Sequence, residues 1–176
     1  MKTLKKRRLE NKTDYGKRLM FLKSEKPRVV FRKTNKYVSA QYVTSKETKD
    51  NVEIGVNSVQ LLKHGWPKEF GGSLKSLPAS YLVGLLMGRK ILKEKKETPI
   101  ADFGMIRSLH KSKIFAFLKG LVDAGVKIKH EGKIFPSEDR ISGKHLKEDF
   151  SKIFEKIKLN IMEDKSASSK NGSLKE

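Results

Sequence analysis

The chain has 176 residues, of which 40 are Lys or Arg and 20 are Asp or Glu, giving a net charge of +20 at pH 7. At 36% hydrophobic residues it can build one core of ordinary size. Without cysteine it can form no disulfide, thiolate metal site or cysteine nucleophile, which suits a reducing cytoplasm.

The positive excess is uneven. Residues 1–36 carry fourteen Lys or Arg against only Glu10, Asp14 and Glu25, a net of +11. Such a surface repels itself unless a polyanion neutralises it, so the partner expected is nucleic acid. The opening Met1-Lys2-Thr3-Leu4-Lys5-Lys6-Arg7-Arg8 has no apolar run behind its charges and is not a secretory signal. The longest uncharged stretch, Ser76 to Gly88, is too short for a bilayer, which needs about 20 apolar residues.

Residues 1–25 read as a basic arm with room for one short helix, and its Leu19, Met20 and Leu22 can dock it on a folded body. Arg28 to Lys33 is a β-rich run with Val29 and Phe31 on one face and Val30 and Arg32 on the other. Thr34-Asn35 turns the chain. Tyr37 to Thr44 resumes alternation, with Val38, Ala40 and Tyr42 opposite Tyr37, Ser39, Gln41 and Val43, completing a hairpin. A weaker third strand is expected over Asn51 to Val56.

Val59 to His64 reads as a short helix stopped by Gly65, and Phe70 to Lys75 as a Gly-rich loop. Ser76 can cap a long helix, with Pro78 in its first turn, that runs to about Lys95. Pro99 to Phe103 is a short buried strand. Ser112 caps a second helix, with Ile114, Phe117, Leu118 and Leu121 at helical spacing, ended by Gly125. Val126-Lys127-Ile128 is expected as a final strand. Ser137-Glu138-Asp139 opens a turn of helix. An amphipathic helix is expected from His145 to about Ile161, with Leu146, Phe150, Ile153, Phe154 and Ile157 on one face.

The order β-β-β-α-β-α-β implies an α/β fold, a mixed β-sheet covered by helices, with a basic N-terminal arm and a C-terminal amphipathic helix. The division expected is an arm at 1–25, a body at 26–130, a helical extension at 131–162 and a disordered tail at 163–176.

Several candidate sites compete with plainer readings. A lysine-rich terminus is often only solvated, but this arm interleaves Asn11, Thr13 and Tyr15 with Lys12, Lys17 and Arg18. Arg forks phosphate, Lys acts as a point charge and Tyr can stack on an unpaired base. Arg28, Arg32, Lys33, Asn35, Lys36 and Tyr37 are read as crowding one end of the hairpin. There they either blunt an edge or line an RNA surface, and the second reading is preferred. Ser80, Gly84 and Gly88, with Gly120, read as close packing of helix on sheet. Trp66 is better read as a core anchor than as a stacking platform. The four histidines have no metal-ligand spacing. Glu53 and Asp102 are the only strand carboxylates on offer, too few for metal-dependent phosphodiester chemistry, so Asp102 reads as a turn cap or a partner for lysine.

A set of collinear segments carries a family resemblance. These are Lys12-Thr13-Asp14-Tyr15, Pro27 to Tyr37 with Ala40-Gln41, Leu61 to Trp66, Ala79 to Leu86, Phe115 to Gly120 with Asp123-Ala124-Gly125, and Ile134 to Arg140. Over roughly residues 5–147 the chain resembles the large-subunit ribosomal protein eighteen family, whose eukaryotic counterpart is numbered five. The Trp66 segment and Phe135-Pro136-Ser137-Glu138-Asp139-Arg140 point to its archaeal and eukaryotic-type branch. The family usually has Gly-Ser-Arg where this chain has Lys111-Ser112-Lys113, and Pro where it has Lys129.

The resemblance implies a non-catalytic, ribosome-bound cytoplasmic protein that needs no cofactor and forms no homo-oligomer. It would bind 5S rRNA and anchor it in the central protuberance, and also meet large-subunit rRNA and neighbouring ribosomal proteins. By motif, the 5S contacts would fall on Lys5, Lys6, Arg7, Arg8, Lys12, Thr13, Tyr15, Arg18, Arg28, Arg32, Lys33, Asn35, Lys36 and Tyr37. The rivals from other classes are a basic nucleic-acid-processing enzyme and a generic nucleic-acid binder.

Overall fold

A computed structural model describes residues 5–10, 12–47, 49–145 and 150–163. Asn11, Leu146 and the tail after Glu163 lie outside the described residues. The arm holds two helices rather than one, α1 (Lys6–Leu9) and α2 (Tyr15–Lys23). Asp14 starts α2 because its carboxylate accepts the backbone N–H groups of Gly16 and Lys17 at 3.0 and 3.2 Å. No residue of α2 is fully buried. Of the three residues expected to dock the arm, Leu19 and Met20 are 54% and 65% exposed, while Leu22 is half-buried, as is its neighbour Phe21. The helix period turns Phe21 inward.

Three antiparallel strands follow: β1 (Arg28–Lys33), β2 (Val38–Lys46) and β3 (Lys49–Asn57). The hairpin turn closes through Thr34, whose N–H donates to the Tyr37 carbonyl at 2.9 Å and whose hydroxyl accepts the Tyr37 N–H at 3.0 Å. Tyr42 pairs with Ile54 but Val43 pairs with Val52, so Glu53 is an extra residue and β3 bulges there.

After a 3₁₀ segment at Ser58–His64, Gly65 turns the chain at φ 104°. That positive φ explains why the helix stops where the sequence says it should. The Gly-rich stretch expected as a loop forms a second 3₁₀ segment, Lys68–Ser73. Trp66 between them is a core residue, 3% exposed, with its indole N–H donating to the Phe70 carbonyl at 3.2 Å.

The long helix α3 (Leu77–Lys93) is capped by the Ser76 hydroxyl, which accepts from the Ala79 N–H at 3.3 Å. Strand β4 (Ile100–Asp102) then pairs in parallel with β1, giving the sheet order β3-β2-β1-β4. Helix α4 (Lys113–Asp123) begins at Ser112, whose hydroxyl makes no cap hydrogen bond. Lys111, at the position where the resembled family usually has glycine, adopts φ 57°. The left-handed bend is kept by lysine, and the Lys111 N–H bonds the Ile134 carbonyl at 2.9 Å.

One face of the sheet packs on α3 and α4; Val29, Phe31, Val38, Ala40, Tyr42, Ile54 and Val56 are all buried there. Phe31 meets Phe117 of α4 with ring centroids 4.8 Å apart. The glycines are a correction to the sequence reading, because they join helix to helix rather than helix to sheet. A Cβ on Gly84 would overlap the Phe117 carbonyl, and one on Gly120 the Tyr81 carbonyl. Gly88 faces Ala124 and Leu121, so the contacts advance together and α3 and α4 run parallel.

Residues 126–128 form no strand. Gly125 at φ 103° lets the Val126 N–H bond the Leu121 carbonyl, and Ile128 N–H bonds the Val126 carbonyl. The backbone groups a ladder would need are used locally, while Val126 is buried in the core beside Gly88. After α5 (Glu138–Ser142), helix α6 spans Ser151–Met162, starting later than the expected His145. Gly143 at φ 86° ends α5, and Phe150 occupies the N-cap position of α6. Phe150, Phe154, Ile157 and Ile161 join the same core as the sheet, with Phe150 4.8 Å from Trp66.

Candidate nucleic-acid interface

The face of the sheet turned away from α3 and α4 carries Arg28, Val30 and Arg32 from β1, Gln41 and Val43 from β2, and Asp50 and Val52 from β3. With Arg7, Lys12, Thr13, Lys17, Arg18 and Phe21 of the arm these residues enclose a groove of about 290 Å³. A basic arm thus folds back over the free side of the sheet, and positive side chains from both line one concavity.

The arm side is held locally. The Arg7 guanidinium donates to the Thr13 hydroxyl at 3.0 Å, and the backbone N–H groups of Lys12 and Thr13 both bond the Arg7 carbonyl. Lys12 pairs with Glu10 at 2.7 Å. The Lys5 ammonium lies over the Tyr15 ring, 4.6 Å from its centroid, so that ring face is already taken by a cation. Arg8 and Tyr15 border a separate depression with Met105. Lys6 and Arg8 are exposed on α1.

On the sheet side, arginines converge on two carboxylates. The Arg28 guanidinium lies 2.7 Å from Asp50 and 3.7 Å from Asp102. Arg18 of the arm reaches Asp50 at 3.0 Å, and Arg32 reaches Asp102 at 3.7 Å. Arg32 also donates to the Phe31 carbonyl at 2.8 Å and presses on Gly104, where a Cβ would stand 3.0 Å from its guanidinium. Asp102 caps the turn after β4 by accepting the Gly104 N–H at 2.7 Å. The turn cap is as expected, but its cationic partners are arginines rather than lysine.

Burial alone would push the Asp50 carboxyl up. The Ser45 hydroxyl, 2.8 Å away, and the guanidiniums of Arg28 and Arg18 together outweigh it and hold the carboxyl below the ordinary aspartate range.

The expected grouping of hairpin cations is therefore split. Arg28 begins β1 and is 6% exposed, committed to internal ion pairs. Lys33, Asn35, Lys36 and Tyr37 stand exposed at the other end, five residues or about 16 Å along the strand. Arg32, half-exposed, lies between them.

The residues assigned to 5S contacts by motif omit Lys17, Gln41 and Asp50, which line the groove. They also omit a cationic cluster near the hairpin end. The Lys113 ammonium is held below the ordinary lysine value, first by burial and then by the positive fields of Lys33 and Lys75. These residues are far apart in sequence, and only the neighbouring starts of the parallel α3 and α4 bring Lys75 and Lys113 together.

The family model described as ribosomal large subunit proteins 60S L5 and 50S L18 matches residues 1–101. A large ribosomal subunit protein uL18 from Korarchaeum cryptofilum is 46% identical over 140 residues, 80% of this chain and 70% of the relative. Proteins of the same name from Methanoregula boonei and Methanospirillum hungatei are each 38% identical, over 80% and 81% of this chain and 78% and 79% of their own length. Beside a groove lined by basic side chains stands a match of this extent, and the chain belongs to the L18 and L5 family of large-subunit ribosomal proteins, structural rather than enzymatic.

Proposed function

We propose that this protein binds 5S rRNA and attaches it to the central protuberance of the large ribosomal subunit. The observation that carries this reading is the cationic groove in which the arm and the open sheet face meet. Its floor is a rigid sheet, which fixes where the cations stand, so it favours a folded RNA of one shape over any polyanion of equal charge.

Lys5, Lys6, Arg7, Arg8, Lys12 and Arg18 would neutralise phosphates along the arm, with Arg32, Lys33 and Lys36 continuing the track along the hairpin. Thr13, Tyr15, Asn35 and Tyr37 would fix register by hydrogen bonds and ring contacts. Arg28, buried beneath the groove, would shape its floor. Lys75 and Lys113 with Lys33 would meet a neighbouring segment of large-subunit rRNA, since phosphate relieves the repulsion among the three.

A gel-shift series at rising salt tests this, with 5S rRNA, an unrelated RNA of equal length and duplex DNA as ligands. Preference for 5S rRNA persisting above physiological salt is expected. Equal binding to the two RNAs would sink the proposal and leave a generic binder. Cleavage of either RNA on adding a divalent ion would favour the enzyme.

A further inference from the structure

The groove contains a feature that charge alone does not predict: a carboxylate, Asp50, at the point where the arm meets the sheet. We propose that Asp50 is a positioning residue that latches the arm over the sheet, so that removing its negative charge weakens RNA binding. This rests on the RNA-binding reading above and deepens it.

The geometry assigns Asp50 three partners on three elements. Arg18 on α2 approaches it at 3.0 Å, Arg28 on β1 at 2.7 Å, and the Ser45 hydroxyl on β2 donates to it at 2.8 Å. Asp50 itself is on β3. One side chain therefore ties the arm to all three strands of the meander.

Among its described residues the arm has little else to hold it. Helix α2 buries no residue fully, and its inward Phe21 and Leu22 are only half-buried. A segment with so little apolar contact is marginal by itself, and a polar pair can decide whether it is docked. On the sheet side the latch is firm, because Arg28 is nearly fully buried and is also drawn toward Asp102.

Two effects of the carboxylate oppose each other. It repels phosphate, and it prepays the ordering of the arm that RNA would otherwise have to impose. Two guanidiniums face the one carboxylate, so the site stays positive and the repulsion is masked. The ordering effect spans the whole of α2 and the arm cations placed ahead of it. The second effect therefore wins.

The test compares wild type, Asp50→Asn, Asp50→Glu and Arg18→Ala. Each is measured for affinity to 5S rRNA at fixed salt and, without RNA, for hydrogen-exchange protection across residues 15–23. Asp50→Asn removes one negative charge and so raises the net charge by one, yet a three- to tenfold loss of affinity is expected, together with loss of α2 protection. Asp50→Glu should retain most of both. Unchanged or tighter binding by Asp50→Asn would overturn the latch, because the carboxylate would then be only a repulsive charge.

If Asp50→Asn fails to fold with Arg28 left unpaired, Arg18→Ala decides, since it spares the Asp50–Arg28 pair. Loss of α2 protection with the strands still protected supports the latch, and intact α2 protection overturns it. The exchange readout uses free protein. If wild type shows no preference for 5S rRNA, the functional proposal fails while the latch is still judged on its own data.

Discussion

Asp50 and Arg28 show how single residues set the character of this surface. A carboxylate in a basic groove looks like a flaw until its partners are counted: two guanidiniums and a hydroxyl, all within 3.0 Å. Such partners favour the ionised form, so the group contributes stability above the ordinary aspartate pKa, about 3.9. That stability is lost as pH falls through the lower folded-state value, and the latch should be intact throughout the neutral range. Following the Asp50 carboxyl carbon by NMR should give a midpoint below about 3.9. A midpoint at or above that value would mean that the ion pairs do not form in solution.

Asp102 plays the matching role on the other side of Arg28. It fixes Arg32 and caps the turn at Gly104, so the arginines of β1 are aimed by carboxylates rather than left to sample rotamers. The turn cap of Asp102 is local and was legible in the sequence. The arginine partners of both carboxylates follow from which strands lie side by side.

At the scale of elements, the parallel pairing of α3 with α4 does most to shape the body. Gly84 and Gly120 allow a backbone-to-backbone approach that no side chain would permit, and this seats both helices on one face of a four-stranded sheet. Helix propensity and packing make opposite predictions for Gly120→Ala. Propensity favours alanine by about 1 kcal/mol. The Tyr81 carbonyl, a backbone atom that cannot swing aside, opposes it, and overpacking a core costs about 1–3 kcal/mol or more.

Packing should win, because a clash with a fixed backbone carbonyl sits at the top of that range, leaving a net loss of about 2 kcal/mol and a fall in Tm of several degrees by calorimetry. Gly55→Ala is the control. Nothing lies within 4 Å of its added methyl on β3, so it should cause no loss. If the two variants melt together, the close helix approach is not a constraint on stability.

For the whole molecule, the question is how charge and fold divide the work. The arm carries eight of the Lys and Arg within residues 1–18, while the core of sheet, α3, α4 and α6 lies after it. Deleting residues 1–18 should leave the body folded and cut both affinity for 5S rRNA and the steepness of its salt dependence. Each lost phosphate contact lowers the slope of log K against log salt by about 0.7–0.9. Thermal unfolding that collapses along with binding would place the arm inside the folding unit. The C-terminal segment is a different case, since Ile157 and Ile161 of α6 are as buried as any strand residue. It completes the core rather than decorating it.

The amino-acid sequence by itself determined the local events. Alternation placed β1 and β2, a serine and two glycines marked where helices start and stop, and the charge run located the basic arm. Each of those signals acts over a few residues, which is why it can be read in one dimension. Only the tertiary structure decided the rest. Arg28 and Asp50 are 22 positions apart on strands that flank β2, about 10 Å from each other, and only a long side chain in that register joins them. Val126 looked like a strand residue because burial and β-propensity share the same residue types, but local hydrogen bonds at the end of α4 took its backbone. Gly84 and Gly120 announced a close approach without naming the partner, because a missing Cβ says only that something comes near. The sequence supplied the charge, and the fold placed the two carboxylates that aim it.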